Sequence, residues 1–160
     1  EVPTYFVDGN TASYGADAAT PLPPGTLEGT KGTIPGADAA GDFQDRLLEV
    51  DPDLDVFSYA AESYDAVVTS ALAAIAAGDD SGESIASALP AVTEGGEKCT
   101  TFEDCAALLE DDPSTDIDYD GVSGPIEFSE TGSPTAASIG IYEYDDQNEY
   151  SAVEFIAGNI

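Results

Sequence analysis

Histidine, methionine and tryptophan are absent from this chain of 160 residues, and only Lys31, Arg46 and Lys98 carry positive side chains. Without histidine the usual general base and the commonest metal ligand are missing. Neither a Ser-His-Asp nor a Cys-His arrangement can be built from it. Carboxylates remain for acid–base chemistry, but with 33 acidic residues any one pair of them is weak evidence. The expectation is therefore a protein that is not an enzyme and carries no cofactor and no metal. No apolar run approaches the roughly 18 residues that a membrane-spanning helix needs. The net charge of -30 repels phosphate backbones and anionic membrane surfaces, which excludes nucleic acid as a partner. Such charge keeps a chain soluble and strains its compact state, a strain that a salt-rich or calcium-containing medium screens.

What is present begins with two cysteines, Cys99 and Cys105. Their spacing is wider than most metal-binding pairs, and no partner ligands accompany them. A local disulfide is the expected reading, with two reduced, buried thiols as the alternative. The disulfide would place the chain in an oxidising compartment outside the cytoplasm.

Periodicity gives the elements. Thr4 to Val7 reads as a short strand ending at the turn Asp8-Gly9-Asn10, and a chain that opens inside a strand leads us to expect sequence upstream. Residues 12–19 read as one or two helical turns before the breakers Pro21, Pro23, Pro24 and Gly25. Lys31 to Pro35 is a strand. Ala40 to Val50 is an amphipathic helix with Phe43, Leu47 and Leu48 on one face. The longest helix spans about 60–77, rich in alanine and stopped by Gly78 in the position of a C′ glycine. Glu83 to Leu89 is helical up to Pro90. Thr100-x-x-Glu103 has the form of a capping box, which predicts a helix to Glu110. Asp111 to Gly121 reads as an acidic loop, and Ile126 to Phe128, Ser138 to Tyr144 and Tyr150 to Ile156 as strands. Strands alternating with helices define an α/β chain.

Four segments in order carry a resemblance. Tyr5 to Asn10 looks like a strand opening onto a ligand cleft. Leu27 to Thr33 is similar to a strand before a crossover between lobes. Phe57 to Val67, with the triplet Tyr64-Asp65-Ala66, resembles the opening of a long helix. Gly121 to Gly132 looks like a glycine-rich hairpin. Together they resemble type I periplasmic solute-binding proteins of ABC transporters, of the branched-chain amino acid binding kind. The resemblance implies a fold of two lobes, each a parallel sheet flanked by helices, of which this chain holds the C-terminal portion. Residues 1–36 would end one lobe, 37–125 would supply elements of the other, and 126–160 would be closing strands. The missing N-terminal half, or self-association, would complete the fold.

The same resemblance implies a function. The chain would be the extracytoplasmic substrate-binding component of an importer, holding a branched-chain or hydrophobic amino acid and docking on a membrane permease. It would lie in the periplasm or at the cell surface, with a lipid anchor on the missing N-terminus as one means of attachment. Asp8, Gly9 and Asn10 fall where ligands of open α/β sheets bind, with Asp8 facing a ligand ammonium; a plain Asp-Gly-Asn turn uses the same residue types. Tyr59 and Tyr64 are the aromatic candidates for the ligand wall, each with a core role as the alternative. Asp65 reads as structural, early in its helix where a negative charge suits the dipole. A ligand sensor of the same fold is the second functional reading. An acidic, calcium-dependent surface module is the third, because Asp116-x-Asp118-x-Asp120-Gly121-x5-Glu127 fits the EF-hand spacing. Pro125 inside that loop, and strand rather than helix after it, argue against a true EF-hand.

Overall fold

A computed structural model describes residues 3–39, 41–129 and 131–159. Ala40, the expected first residue of a helix, Glu130, within the glycine-rich segment, and the chain ends Glu1, Val2 and Ile160 lie outside the described residues. In chain order the elements are β1 (Tyr5–Phe6), a 3-10 turn (Asp8–Asn10), β2 (Lys31–Pro35), α1 (Asp42–Val50), α2 (Ala60–Ala77), α3 (Gly82–Ala88), α4 (Pro90–Thr93), β3 (Glu97–Cys99), α5 (Phe102–Asp111), β4 (Ile117–Gly121), β5 (Gly124–Pro125), β6 (Ala136–Tyr144) and β7 (Tyr150–Asn159). The chain divides into two units. One joins the segment up to Ala37 with Ser138–Gly158, and the other is built from Asp38–Ala137. Helices and strands are mixed as an α/β chain requires, but both sheets are mixed and not parallel throughout.

The first unit is a four-stranded sheet in the order β1-β2-β6-β7. β1 runs parallel to β2, and β2 pairs antiparallel with β6 from Lys31 opposite Glu143 to Pro35 opposite Ile139. Gly32 and Ile34 face the same side as Tyr142 and Gly140, their directly opposed partners, because side chains alternate across a strand. Ile34 and Tyr144 are buried on that side. An aromatic chain continues it: Phe6 and Tyr144 stand edge to face at 5.5 Å, and Tyr142 meets Tyr150 at 5.5 Å and Phe155 at 6.2 Å.

The helical turns expected over residues 12–19 do not form. That segment is held instead by the β6–β7 hairpin. The Tyr144 hydroxyl accepts from the Ala12 amide at 3.0 Å and donates to the Ala12 carbonyl at 2.8 Å. Asn148, fully buried in the hairpin turn, donates to the carbonyls of Leu22 and Pro23 and accepts from the Leu27 amide at 2.9 Å. A proline-rich loop has few backbone donors of its own, so one asparagine with both donor and acceptor atoms supplies its order.

The second unit is organised around α2, which packs on α3, α4, α5 and β4. Its inward face carries Val68, Leu72 and Ala73, which join Val92, Leu109, Ile117 and Tyr119 in one core. Gly78 ends the helix at φ 62°, a left-handed conformation that glycine adopts without steric cost. β3, α5 and β4 form a βαβ unit with the two strands parallel. The helix cap lies one residue later than the capping box expected from the sequence: Thr101 is the N-cap, and its side chain accepts from the Asp104 amide. Pro90 does not end the helical region but opens α4 as its first residue, where its missing N–H costs nothing. The acidic loop expected over 111–121 contains β4, in which Ile117 and Tyr119 point inward and Asp118 and Asp120 alternate with them. Ile126 to Phe128 is not a regular strand, although Phe128 bridges Pro134.

Cys99 and Cys105 are disulfide-bonded and tie the end of β3 to the first turns of α5. With a sequence separation of 6, the closed loop is short and the bond contributes about 2 kcal/mol by denatured-state entropy.

Asp65 joins the helical layer to the strands. It lies in the second turn of α2, 2% exposed. Its Oδ1 accepts from the Tyr119 hydroxyl at 2.8 Å and the Val122 amide at 3.1 Å. Its Oδ2 accepts from the Ser123 amide at 2.7 Å and from the Ser123 hydroxyl. The residue is structural, but the reason is the β4–β5 turn it binds and not the helix dipole. Burial, and then the bond to Asp65, push the Tyr119 phenol far above its ordinary value. Gly121 passes directly over the carboxylate, where an added Cβ would overlap the Asp65 side chain.

Two measurements test this packing. Asp65→Ala leaves four buried or part-buried donors without their acceptor, at about 1–3 kcal/mol for each one that stays unsatisfied, so denaturant unfolding should show a loss of roughly 3 kcal/mol or more. Gly121→Ala should also destabilise, by about 1–3 kcal/mol, and the double variant should lose less than the sum of the two. In the first unit, burial pushes the Tyr144 phenol up to about 12 from 10.0. The folded chain holds that proton more tightly than the unfolded one, so the stabilisation is complete below pH 10 and is lost as pH rises through 12. Stability measured across that window should fall, and fall less steeply in Tyr144→Phe.

Candidate functional site

The expected ligand residues divide between the two units. Asp8, Gly9 and Asn10 form the 3-10 turn directly after β1 in the first unit, and all three are exposed. The turn follows the carboxyl end of a strand that runs parallel to its neighbour, the place where open α/β sheets receive ligands. Its shape is set locally. The Asn10 side chain accepts from the Val7 amide at 2.9 Å, the Asn10 and Thr11 amides bond back to the Val7 carbonyl, and the Tyr14 hydroxyl reaches the Asn10 carbonyl. Asn10 is therefore occupied in holding the turn.

Tyr59 and Tyr64 flank the start of α2 in the second unit. Tyr59 is the N-cap residue, at φ 62° and ψ 8°. A left-handed conformation is rare for a bulky side chain and costs about 1–3 kcal/mol. Tyr59 is 39% exposed. Tyr64, half-buried, stands one turn further on. Its ring meets Phe43 of α1 edge to face at 5.4 Å, and its hydroxyl accepts from Arg46 Nη2 at 3.3 Å. Its ring and Arg46 face the junction of α1 and α2, so Tyr64 is only partly a core residue.

Two cations that the sequence reading left unassigned take clear positions. Lys98 on β3 sits opposite Asp118 on β4, and its ammonium lies 2.9 Å from a carboxylate oxygen of both Asp118 and Asp120. Those two bonds, Asp118 first, raise the lysine pKa. They also bear on the EF-hand spacing: two of its would-be calcium ligands are committed to an ammonium, on a strand instead of a loop between helices. Among the described residues no group of acidic, cysteine or histidine side chains is arranged to hold a metal ion. Arg46 lies on the exposed face of α1, its guanidinium 5.3 Å from the centre of the Tyr64 ring and 6.0 Å from that of Phe43.

Asp8, Tyr59 and Tyr64 were named from the resemblance and from their places at a strand end and a helix start. Arg46 and Lys98 had one available signal, their rarity: a cation in so acidic a chain occupies a position that matters to the charges around it. Among the described residues no helix is long and apolar enough to cross a membrane. No protein-family model, no curated protein and no solved structure matches this chain.

Proposed function

We propose that the chain is the C-terminal portion of an extracytoplasmic solute-binding protein that captures a branched-chain or hydrophobic amino acid for an ABC importer. The observation that carries this reading is the placement of Asp8: an exposed carboxylate in the turn that follows the carboxyl end of β1. A ligand ammonium there gains a charge-assisted hydrogen bond. Capture requires no acid–base catalyst, in keeping with a chain that has no histidine. The disulfide between Cys99 and Cys105 suits a compartment outside the cytoplasm. A sensor that passes ligand binding to a signalling partner uses the same residues in the same way. The calcium-dependent module is less favoured, because Asp118 and Asp120 are both already paired with the Lys98 ammonium.

Thermal unfolding of the protein carrying this chain, against leucine, isoleucine, valine, aromatic acids and calcium, tests the proposal. At about 100 times its dissociation constant a true ligand stabilises by about 2.7 kcal/mol. The expected result is a raised midpoint with aliphatic amino acids that Asp8→Asn abolishes. A midpoint raised by calcium alone, or an amino-acid effect unchanged in Asp8→Asn, would overturn it.

A further inference from the structure

Arg46 is the only arginine in a chain of net charge -30, and its surroundings differ from those of both lysines. Lys31 pairs with Glu143 at 3.5 Å, and Lys98 with Asp118 and Asp120 at 2.9 Å. Arg46 has no carboxylate within 4.0 Å among the described residues, although Asp42, Asp45 and Glu49 share its helix. The hydrogen bond to Tyr64 is the first cause that raises its pKa; Glu103 on α5 adds to it through space without forming an ion pair. The guanidinium lies over the rings of Tyr64 and Phe43 and spends one N–H of Nη2 on the Tyr64 hydroxyl. Arginine has five N–H donors in a flat fork. The cation–π contacts and the Tyr64 hydroxyl hold one side of that fork, and the residue is otherwise exposed to water.

We infer that Arg46, backed by Tyr64 and Phe43, is a binding site for a small monocarboxylate with an apolar body. An open guanidinium edge matches a carboxylate by two parallel hydrogen bonds, and the half-buried Tyr64 ring beside it offers the body apolar surface. A monoanion is favoured over phosphate because the field of an acidic protein opposes a dianion about twice as strongly. The site rests on the ligand-receptor reading above only for the physiological identity of the ligand. Carboxylate binding at Arg46 stands or falls without it.

A single arginine means a single arginine Nε–Hε resonance. The ¹⁵N-labelled chain would be titrated with 4-fluorobenzoate at constant ionic strength, and in parallel with 4-fluorobenzamide, chloride and inorganic phosphate. The expected result is a saturating shift of that resonance with 4-fluorobenzoate, weaker with phosphate and absent with the amide and chloride. Fluorine line broadening of 4-fluorobenzoate would then be compared between the parent chain and Arg46→Gln, with circular dichroism confirming the fold. At least a tenfold loss of affinity is expected in Arg46→Gln, and a smaller loss in Arg46→Lys, which keeps the charge but not the fork. A linear, unsaturating shift, an equal response to the amide, tighter binding of phosphate, or unchanged affinity in Arg46→Gln would each overturn the inference. Failure of the amino-acid panel with a positive benzoate titration would remove the importer reading and leave this site in place.

Discussion

The carboxylate of Asp65 is withdrawn from water in the second turn of α2, and the second unit is arranged to satisfy it. A buried charge without partners is costly enough to unfold a marginal domain. Four donors converge on this one: the Tyr119 hydroxyl from β4, the Val122 and Ser123 amides from the β4–β5 turn, and the Ser123 hydroxyl. Each donor fixes something further. Tyr119 can reach Asp65 only if β4 packs against α2 in one register, and that register places Ile117 in the core and Asp118 and Asp120 on the side of Lys98. The turn amides can converge only if Gly121 passes over the carboxylate without a side chain. One electrostatic requirement therefore sets the position of a strand, the residue type at a turn and the pairing of a lysine.

The first unit follows the same logic with neutral groups. Tyr144 and Asn148 stand at the end of β6 and in the hairpin turn, and between them they satisfy backbone groups at Ala12, Leu22, Pro23 and Leu27. The segment from Thr11 to Thr30 has no regular structure of its own. Its order is borrowed from side chains more than 100 residues further along the chain. That is how a loop rich in proline and glycine delivers β1 to β2 in parallel, and how the turn holding Asp8 acquires a fixed neighbour.

These two anchors explain what was legible in the sequence and what was not. The elements whose signal is local came through: α2 from its alanine-rich apolar face and Gly78, α1 and α3 from spacing, and β6 from alternation. The disulfide was legible from spacing and the lack of other ligands. The failures share a cause. Residues 12–19 have helix-like composition, but the Ala12 and Tyr14 amides are claimed by a distant hairpin. β4 was hidden because acidic residues alternate with Ile117 and Tyr119, and at this density of carboxylates a strand reads as a charged loop. The shift of the cap from Thr100 to Thr101 is a choice between adjacent threonines that composition cannot make. Asp8, Gly9, Asn10, Tyr59 and Tyr64 were named from the resemblance and from position, whereas the geometry that distinguishes them was not visible. Asn10 holds a turn, Tyr59 is strained, and Tyr64 backs the one arginine.

The central claim is that the β4–β5 turn is bound to α2 through Asp65 as firmly as the core itself is packed. Native-state hydrogen exchange at the amides of Val122 and Ser123 tests it most directly. Turn amides ordinarily exchange through small local openings. If Asp65 holds them as described, both should exchange only through the opening that also releases the amides of Val68 and Leu72, with matching free energies and matching denaturant dependence. Exchange of Val122 and Ser123 that is orders of magnitude faster, and insensitive to denaturant, would show the turn to be loosely attached and would contradict the account.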